Sequence, residues 1–460
     1  MQGYCIMLHT VTDLEQNIIF SRESINSQSI FVFDQHPIFK PSWYNVKGFF
    51  QLISSREFLD LFQRFSPLNE ETLPLGQTAG RILARDVRAP EQLPPFSRST
   101  MDGFAVRARD TFGCSESEPA LLTITGEIAM GSSGRDISLL PGKTARIWTG
   151  GELADTADAV VMVEYTHVID HDTIEIFRPV APGENVIRAG EDTEKGQVIL
   201  TRGRKLRPQD LGVLAGLGIT TVSVYCRPVV AVLSTGDELV APDQKPGPGR
   251  IRDINSTTLA ALVAETGCVA RQYGIFPDKL DTMFAACRDA LAEADMVLLS
   301  GGSSVGRRDF TLQVLKRLEN SELLAHGVAI RPGKPTILAA QGNKAIFGLP
   351  GHVASAMVVF YLFVRPLLHR FSGMTTDLGL LPVQAVTGEQ IPSAIGREEY
   401  VRVQLIREDN DSLPVALPIY GKSGLLTPLV RADGLLVIAR DSEGLDKGTT
   451  ARVLLFPACQ

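Results

Sequence analysis

From Pro228 onward the chain alternates two hydrophobic textures. Short, nearly unbroken apolar runs, "PVVAVLSTGDEL" (228–239), "DMVLLSGG" (295–302) and "KAIFGLPG" (344–351), each close on glycines or an acidic turn and read as buried strands. Between them apolar positions return every three or four residues, in "NSTTLAALVAETG" (255–267), "DKLDTMFAACRDALAEA" (278–294) and "DFTLQVLKRLEN" (309–320). These predict helices, the first capped at its start and stopped by Gly267. "VASAMVVFYLFVRPLLHRF" (353–371) is apolar on all sides, and Arg365 and Pro366 interrupt it, so it predicts a buried helix and not a membrane span. Strands alternating with helices imply βαβ crossovers, hence a mostly parallel sheet covered on both faces.

Elsewhere the pattern changes. In "SSREFLDLFQRF" (54–65), Ser54 and Glu57 form a capping-box pair, and Phe58, Leu61, Phe62 and Phe65 recur at helical spacing. From Gly103 to Pro182 short alternating runs such as "LLTITGEIAM", "KTARIWTGG" and "DTIEIFRPV" predict a small β domain. A polar loop, "GENVIRAGEDTEKGQ", and a short helix, "RPQDLGVLAGLGI", follow. Beyond Gly373 the signal is β throughout. The expected division is an N-terminal extension of unknown role (1–48), a discontinuous helical and extended domain (49–102 and 183–226), an inserted β domain (103–182), the α/β domain (227–373) and a C-terminal β domain (374–460).

Composition narrows the function classes. With 45 Lys and Arg against 52 Asp and Glu the net charge is -7, which argues against a nucleic-acid surface. The six cysteines show no CxxC spacing and the seven histidines no HExxH, so neither a zinc site nor a catalytic thiol is expected. No basic region followed by an apolar core opens the chain, so the cytoplasm is the expected address, with no membrane partner.

Ligands of open parallel sheets bind at the carboxyl ends of the strands. Three of those ends are unusual here: "LSTGDEL", "LLSGGSSVGRRD" and "FGLPGHVAS". Gly301, Gly302 and Gly306 leave backbone amides uncovered for an oxyanion, with Ser303 and Ser304 adding hydroxyl donors; the alternative is a plain tight turn. In "AIRPGKPT", Arg331 and Lys334 flank Pro332 and Gly333, and Pro335 stiffens a turn suited to a dianion. Pro350 and Gly351 end the third strand. Carboxylates also gather at turns: Asp102, Asp192, Asp237, Glu238, Asp278 and Asp309, the last also placed to cap a helix. Such oxygen ligands suit Mg²⁺ held jointly with substrate phosphates.

Together "FSRSTMDGFAVRARD", "ARIWTGG", "ENVIRAGEDTEKG", "VVAVLSTGDELV", "GRIRDINSTTLAALV", "LLSGGSSVGRRDFT", "IRPGKPT" and "GLPGHVASAMVVF" resemble, in order, the molybdopterin molybdenumtransferase family of MoeA and gephyrin E-domain type. The resemblance implies a multidomain α/β plus β fold: a central α/β domain similar to molybdopterin adenylyltransferases, an inserted β domain, a discontinuous domain and a C-terminal β-barrel-like domain. It implies an elongated homodimer whose cleft is completed by the partner's inserted domain. The implied reaction takes small-molecule substrates, adenylylated molybdopterin and molybdate (or tungstate), and with Mg²⁺ yields molybdenum cofactor and AMP. Implied protein partners are molybdopterin adenylyltransferase, met transiently, and recipient apo-molybdoenzymes. The alternatives are an adenylyltransferase acting one step earlier and a non-catalytic, gephyrin-like scaffold.

Carried over residue by residue, the resemblance implies functional carboxylates at Asp102, Asp192, Glu238, Asp278 and Asp309, with Glu238 and Asp309 serving Mg²⁺, and a motif threonine at Thr149. The glycine-serine loop, Arg331 to Pro335, and Pro350 with Gly351 would hold the pterin phosphate and nucleotide, and Lys334, Ser355, Arg402 and Ser423 the molybdate. The chain departs from the family at His352, where Asn is frequent, at Arg331, where Lys is frequent, and in "GEDT" for "GEDI".

Overall fold

Residues 52–301, 310–375, 379–407 and 412–457 are described by the computed structural model. The N-terminal extension expected at 1–48, and Gly302, Ser303, Ser304, Gly306 and Asp309, lie outside the described residues.

The α/β unit is a six-stranded sheet in the spatial order Val269–Phe276, Val229–Thr235, Met296–Ser300, Lys344–Leu349, Ile337–Gln341, Ser321–His326. The first four are parallel, Ile337–Gln341 runs opposite to them, and Ser321–His326 pairs antiparallel to it in turn. Alternate residues of the central strands divide between two cores, as a pleated sheet covered on both faces requires. Val230, Val232, Leu298 and Phe347 face Leu259, Leu262, Val263, Phe58, Phe62, Phe65 and the apolar helix. Ala231, Leu233, Val297, Leu299 and Ile346 face Met283, Cys287, Leu291, Val314 and Leu315.

The strands predicted at 228–239, 295–302 and 344–351 are present, while Val269–Phe276, Ser321–His326 and Ile337–Gln341 carry no pattern by which the sequence separates them from loops. The antiparallel pair matters for placement. His326 lies opposite Ile337, and Ile337 opposite Gly348, so the 327–336 turn emerges at the edge where the parallel strands end.

Val353–Phe371 is long and apolar enough to cross a membrane by composition, yet 72% of its most apolar window is buried within the protein. Its middle, Phe360–Val364, widens to a π-helix. The Ser54 capping box forms as the sequence predicts: Ser54 Oγ accepts from the Glu57 amide, and the Glu57 carboxylate accepts from the Ser54 amide at 2.7 Å. The α-helix ends at Asp60 and continues as a 3₁₀ turn, a tightening that still delivers Phe58, Phe62 and Phe65 to one core.

The inserted region folds as a six-stranded sheet that contains the predicted runs Ala120–Ile128, Lys143–Ile147 and Thr173–Ile176. At the C-terminus, Glu398–Ile406, Val415–Pro418, Leu381–Thr387, Thr450–Leu455 and Gly434–Ile438 pair in turn, and the last returns to the first, closing a five-stranded barrel. Val403, Leu436, Ile438 and Val453 fill it.

The helix Pro208–Gly216 is held by Asp210, whose side chain is 5% exposed and pairs with Arg204 at 2.8 Å and Arg207 at 3.2 Å. Desolvation alone would raise the Asp210 pKa; the hydrogen bonds from Arg207 and Arg204 overcome it and hold the carboxyl at about 2. A depressed folded pKa adds stability above the unfolded carboxylate value, lost as pH falls toward 2. Asp210→Ala is expected to lower the urea-unfolding free energy by about 2 kcal/mol at pH 7. That deficit should shrink between pH 4 and pH 2, and a pH-independent deficit would contradict the assignment.

Candidate active site at the sheet edge

Thr235, Ser300 and Leu349 end adjacent parallel strands, with Ser234 opposite Ser300 and Ser300 opposite Leu349. Immediately beyond, backbones run close together. A Cβ on Gly301 would stand 2.3 Å from the Thr235 carbonyl oxygen, and Gly301 has φ +105°, so only glycine fits this crossing. Gly351 packs next to it, its hypothetical Cβ 3.8 Å from the Gly301 Cα. Asn255, 8% exposed, ties the loops together: its Nδ2 donates to Ser300 Oγ at 2.6 Å and to the Gly351 carbonyl at 2.8 Å. Below it Ser234 Oγ donates to buried Asp253 at 3.0 Å and lies 2.9 Å from Ser256 Oγ. Asp253 also accepts from the Ser256 amide in the first turn of the helix Asn255–Glu265, which leaves Asn255 for the edge. A hydrogen-bonded polar layer of this kind fixes loop geometry.

The acidic candidates behave differently from one another. Glu238 is exposed and folds back over the strand end, its Oε2 2.8 Å from where a Gly236 Cβ would be. Asp278 is half-buried and occupied: it accepts from Thr235 Oγ1 at 2.6 Å, and its amide donates to Asp237. No three His, Cys, Asp or Glu cluster as a metal cage among the described residues. A metal at Glu238 would therefore draw most of its shell from phosphate and water, as Mg²⁺ does.

At the other end of the edge stands the 331–335 turn. Gly333, φ +119°, is pressed against Ile330 and Val359, where a Cβ would meet side-chain carbons at 2.7 Å. This seats Lys334 and Pro335 beside the helix that carries Ser355, one turn before Val359. Ile330 and Arg331 pair with Glu398 and Glu399 of the barrel, and the Arg331 guanidinium sits 3.4 Å from the Glu399 carboxylate. Part of the charge read as available for a dianion is thus engaged by the barrel.

The barrel brings two more candidates to the same helix. Ser423 Oγ is 2.7 Å from His352 Nδ1, and its carbonyl accepts from the Ala354 amide at 3.1 Å. Arg402 donates through Nη2 to the Gly421 carbonyl, while its buried Nη1 has no hydrogen-bond partner among the described residues. Desolvation lowers the Arg402 pKa from its ordinary value, as expected of a cation lacking an anion. Ser355, Arg402 and Ser423 therefore converge through the Gly421–Gly424 loop on the start of one helix.

Asp102 and Thr149 form a pair in the inserted sheet: the Thr149 amide and hydroxyl both donate to Asp102 Oδ1 at 2.7 Å. The Thr149 hydroxyl and amide lower the Asp102 pKa. Asp192 lies on a loop bridged to Leu93, its amide donating to the Leu93 carbonyl at 3.1 Å. The bonds of these three run within their own units and not to the sheet edge.

Three regions match family models: residues 53–218 the MoeA N-terminal region (domain I and II), residues 231–370 a probable molybdopterin binding domain, and residues 384–456 the MoeA C-terminal region (domain IV). The molybdopterin molybdenumtransferase of Bacillus subtilis is 33% identical over 84% of this chain and 90% of its own length. The chain belongs to the MoeA family. Within the family, a putative molybdopterin biosynthesis protein of Methanocaldococcus jannaschii is 35% identical over 83% of this chain and 90% of that one. A crystal structure of a molybdopterin biosynthesis MoeA protein from Pyrococcus horikoshii superposes with a TM-score of 0.75 at 34% identity, covering 88% of this chain and 99% of that one. The MoeA fold accounts for the multidomain arrangement, with the closed barrel at its C-terminus.

Sequence reasoning passed over Asp253, Asn255 and Ser256 as site residues, although "RDINS" places four polar side chains at the start of an otherwise apolar helix, a signal available in the sequence. Of the cysteines, Cys268 and Cys287 are buried, and burial pushes both thiols up to about 12, which keeps them protonated and inert.

Proposed function

We propose that this chain is a molybdopterin molybdenumtransferase of molybdenum cofactor biosynthesis. It would join molybdate to adenylylated molybdopterin and release AMP at the sheet edge. The observation that carries this reading is the convergence of the Thr235, Ser300 and Leu349 strand ends, the Lys334 turn and Arg402 Nη1, which has no partner among the described residues, on one side of the α/β unit. The Gly301 and Gly351 backbones would take the pterin phosphate and nucleotide, with Gly302, Ser303, Ser304 and Gly306 beyond the described residues. Lys334, Ser355, Arg402 and Ser423 would receive the tetrahedral dianion.

Glu238 fits a Mg²⁺ ligand through its exposed carboxylate at the phosphate end, with Asp309 as its expected companion. When bound, Mg²⁺ neutralises charge on the anhydride oxygens. The protein's own share is fixed positive charge and oriented donors that reorganise little during reaction. Asp102, its Thr149 donor and Asp192 would shape the cleft from a second copy in a homodimer. The five-part division of the chain, an adenylyltransferase-like core and cytoplasmic residence belong to the same proposal.

Lys334→Ala and Asp309→Asn are each expected to cut molybdate-dependent AMP release at least ~100-fold while leaving the dimer intact by gel filtration. Full activity in both variants would refute the site. Incubation with molybdopterin and ATP should yield no adenylylated product; efficient formation would favour the adenylyltransferase reading.

A further inference from the structure

The His352 ring sits between the α/β unit and the barrel. Its Nδ1 is 2.7 Å from Ser423 Oγ, and a Cβ on Gly424 would lie 3.8 Å from its Cδ2. The neighbouring Ala354 amide donates to the Ser423 carbonyl, so the backbone of this loop is anchored independently of the imidazole. A serine hydroxyl carries one proton and two lone pairs. If Nδ1 accepts that proton, Ser423 can offer an oxyanion only lone pairs, which repel it. If Nδ1 carries hydrogen and donates, Ser423 is free to turn its own proton outward.

We propose that His352 is a positioning residue for the oxyanion: it donates through Nδ1–H to Ser423 Oγ and so makes Ser423 a hydrogen-bond donor to molybdate. The inference rests on the reading of Lys334, Ser355, Arg402 and Ser423 as the molybdate cup. It requires one tautomer and no proton transfer, because either the Nδ1–H neutral ring or the imidazolium supplies the donor. The chemistry recognised is that of a tetrahedral dianion, and tungstate serves as a probe of the same shape and charge. An asparagine at this position would place an amide nitrogen close to where Nδ1 stands, with donor capacity retained.

The test is calorimetric titration of the full-length protein with sodium tungstate in the absence of molybdopterin. Ser423→Ala is expected to weaken binding about tenfold by removing the donated hydrogen bond, His352→Leu about fivefold because the hydroxyl keeps its proton but loses the bond that aims it, and the double variant no further than Ser423→Ala. His352→Asn should stay within about threefold of the wild type. Where the leucine variant does not fold, His352→Ala, which asks for no new space, should show the same loss. Wild-type affinity in the leucine or alanine variant, additive losses in the double variant, or failure of asparagine to rescue would each overturn the positioning role. Arg402→Ala separates the two readings: retained tungstate binding in that variant and in Ser423→Ala would dismiss the cup itself, whereas its loss alongside an intact His352→Leu would dismiss only His352.

Discussion

Gly301→Ala is expected to lower molybdate-dependent AMP release at least ~100-fold, because a displacement of about 1 Å at reacting groups costs that much. A methyl there cannot coexist with the Thr235 carbonyl oxygen 2.3 Å away, and φ +105° is closed to L-residues at a cost of about 1–3 kcal/mol. The clash is with backbone, so no rotamer change relieves it; the Thr235 and Ser300 strand ends must part. The Gly236 turn, which carries Glu238, moves with them. Single-turnover AMP release, read beside a far-ultraviolet circular dichroism spectrum, checks the result. A folded alanine variant with activity within threefold of wild type would show that the crossing is not part of the site.

Asn255→Asp should be nearly as damaging, at about 50- to 100-fold in turnover. The substitution keeps shape and size but replaces the amide donor that binds the Gly351 carbonyl at 2.8 Å with an acceptor. Two acceptors then face each other in a buried setting, where an unsatisfied group costs about 1–3 kcal/mol. Ser300 can reverse and donate, so the 2.6 Å bond survives; Gly351 has no such option. The sharper expectation is the pattern: turnover falls more than stability to urea. Equal losses in both would make Asn255 a folding residue alone.

Much of the α/β unit is legible in one dimension, because its determinants are local. The Ser54–Glu57 box, the Gly267 stop and the runs at 229–235, 296–300 and 344–349 each act within a few residues, and the chain forms them where the pattern places them. The site is less legible. Nothing near Arg331 in sequence announces Glu399, 68 positions away, which meets it only because Ile330 and Arg331 pair with a barrel strand. Asn255 reads as a helix cap, and only packing turns its amide toward Ser300 and Gly351. Polar side chains acquire roles from non-local neighbours, whereas apolar periodicity is felt by the chain itself.

The barrel's closure has a mechanical corollary. Arg402 and Ser423 ride on a closed ring of strands, while Lys334 and Ser355 belong to the sheet unit, joined to that ring by the Ile330–Arg331 pairing, the Ala354–Ser423 hydrogen bond and a core shared with Tyr400, Leu435 and Leu454. A ring moves as one piece. Any tilt of it must first break the Ala354–Ser423 bond, so Ser423 and Ser355 keep their register, and removing the barrel should spare the nucleotide end while erasing oxyanion capture.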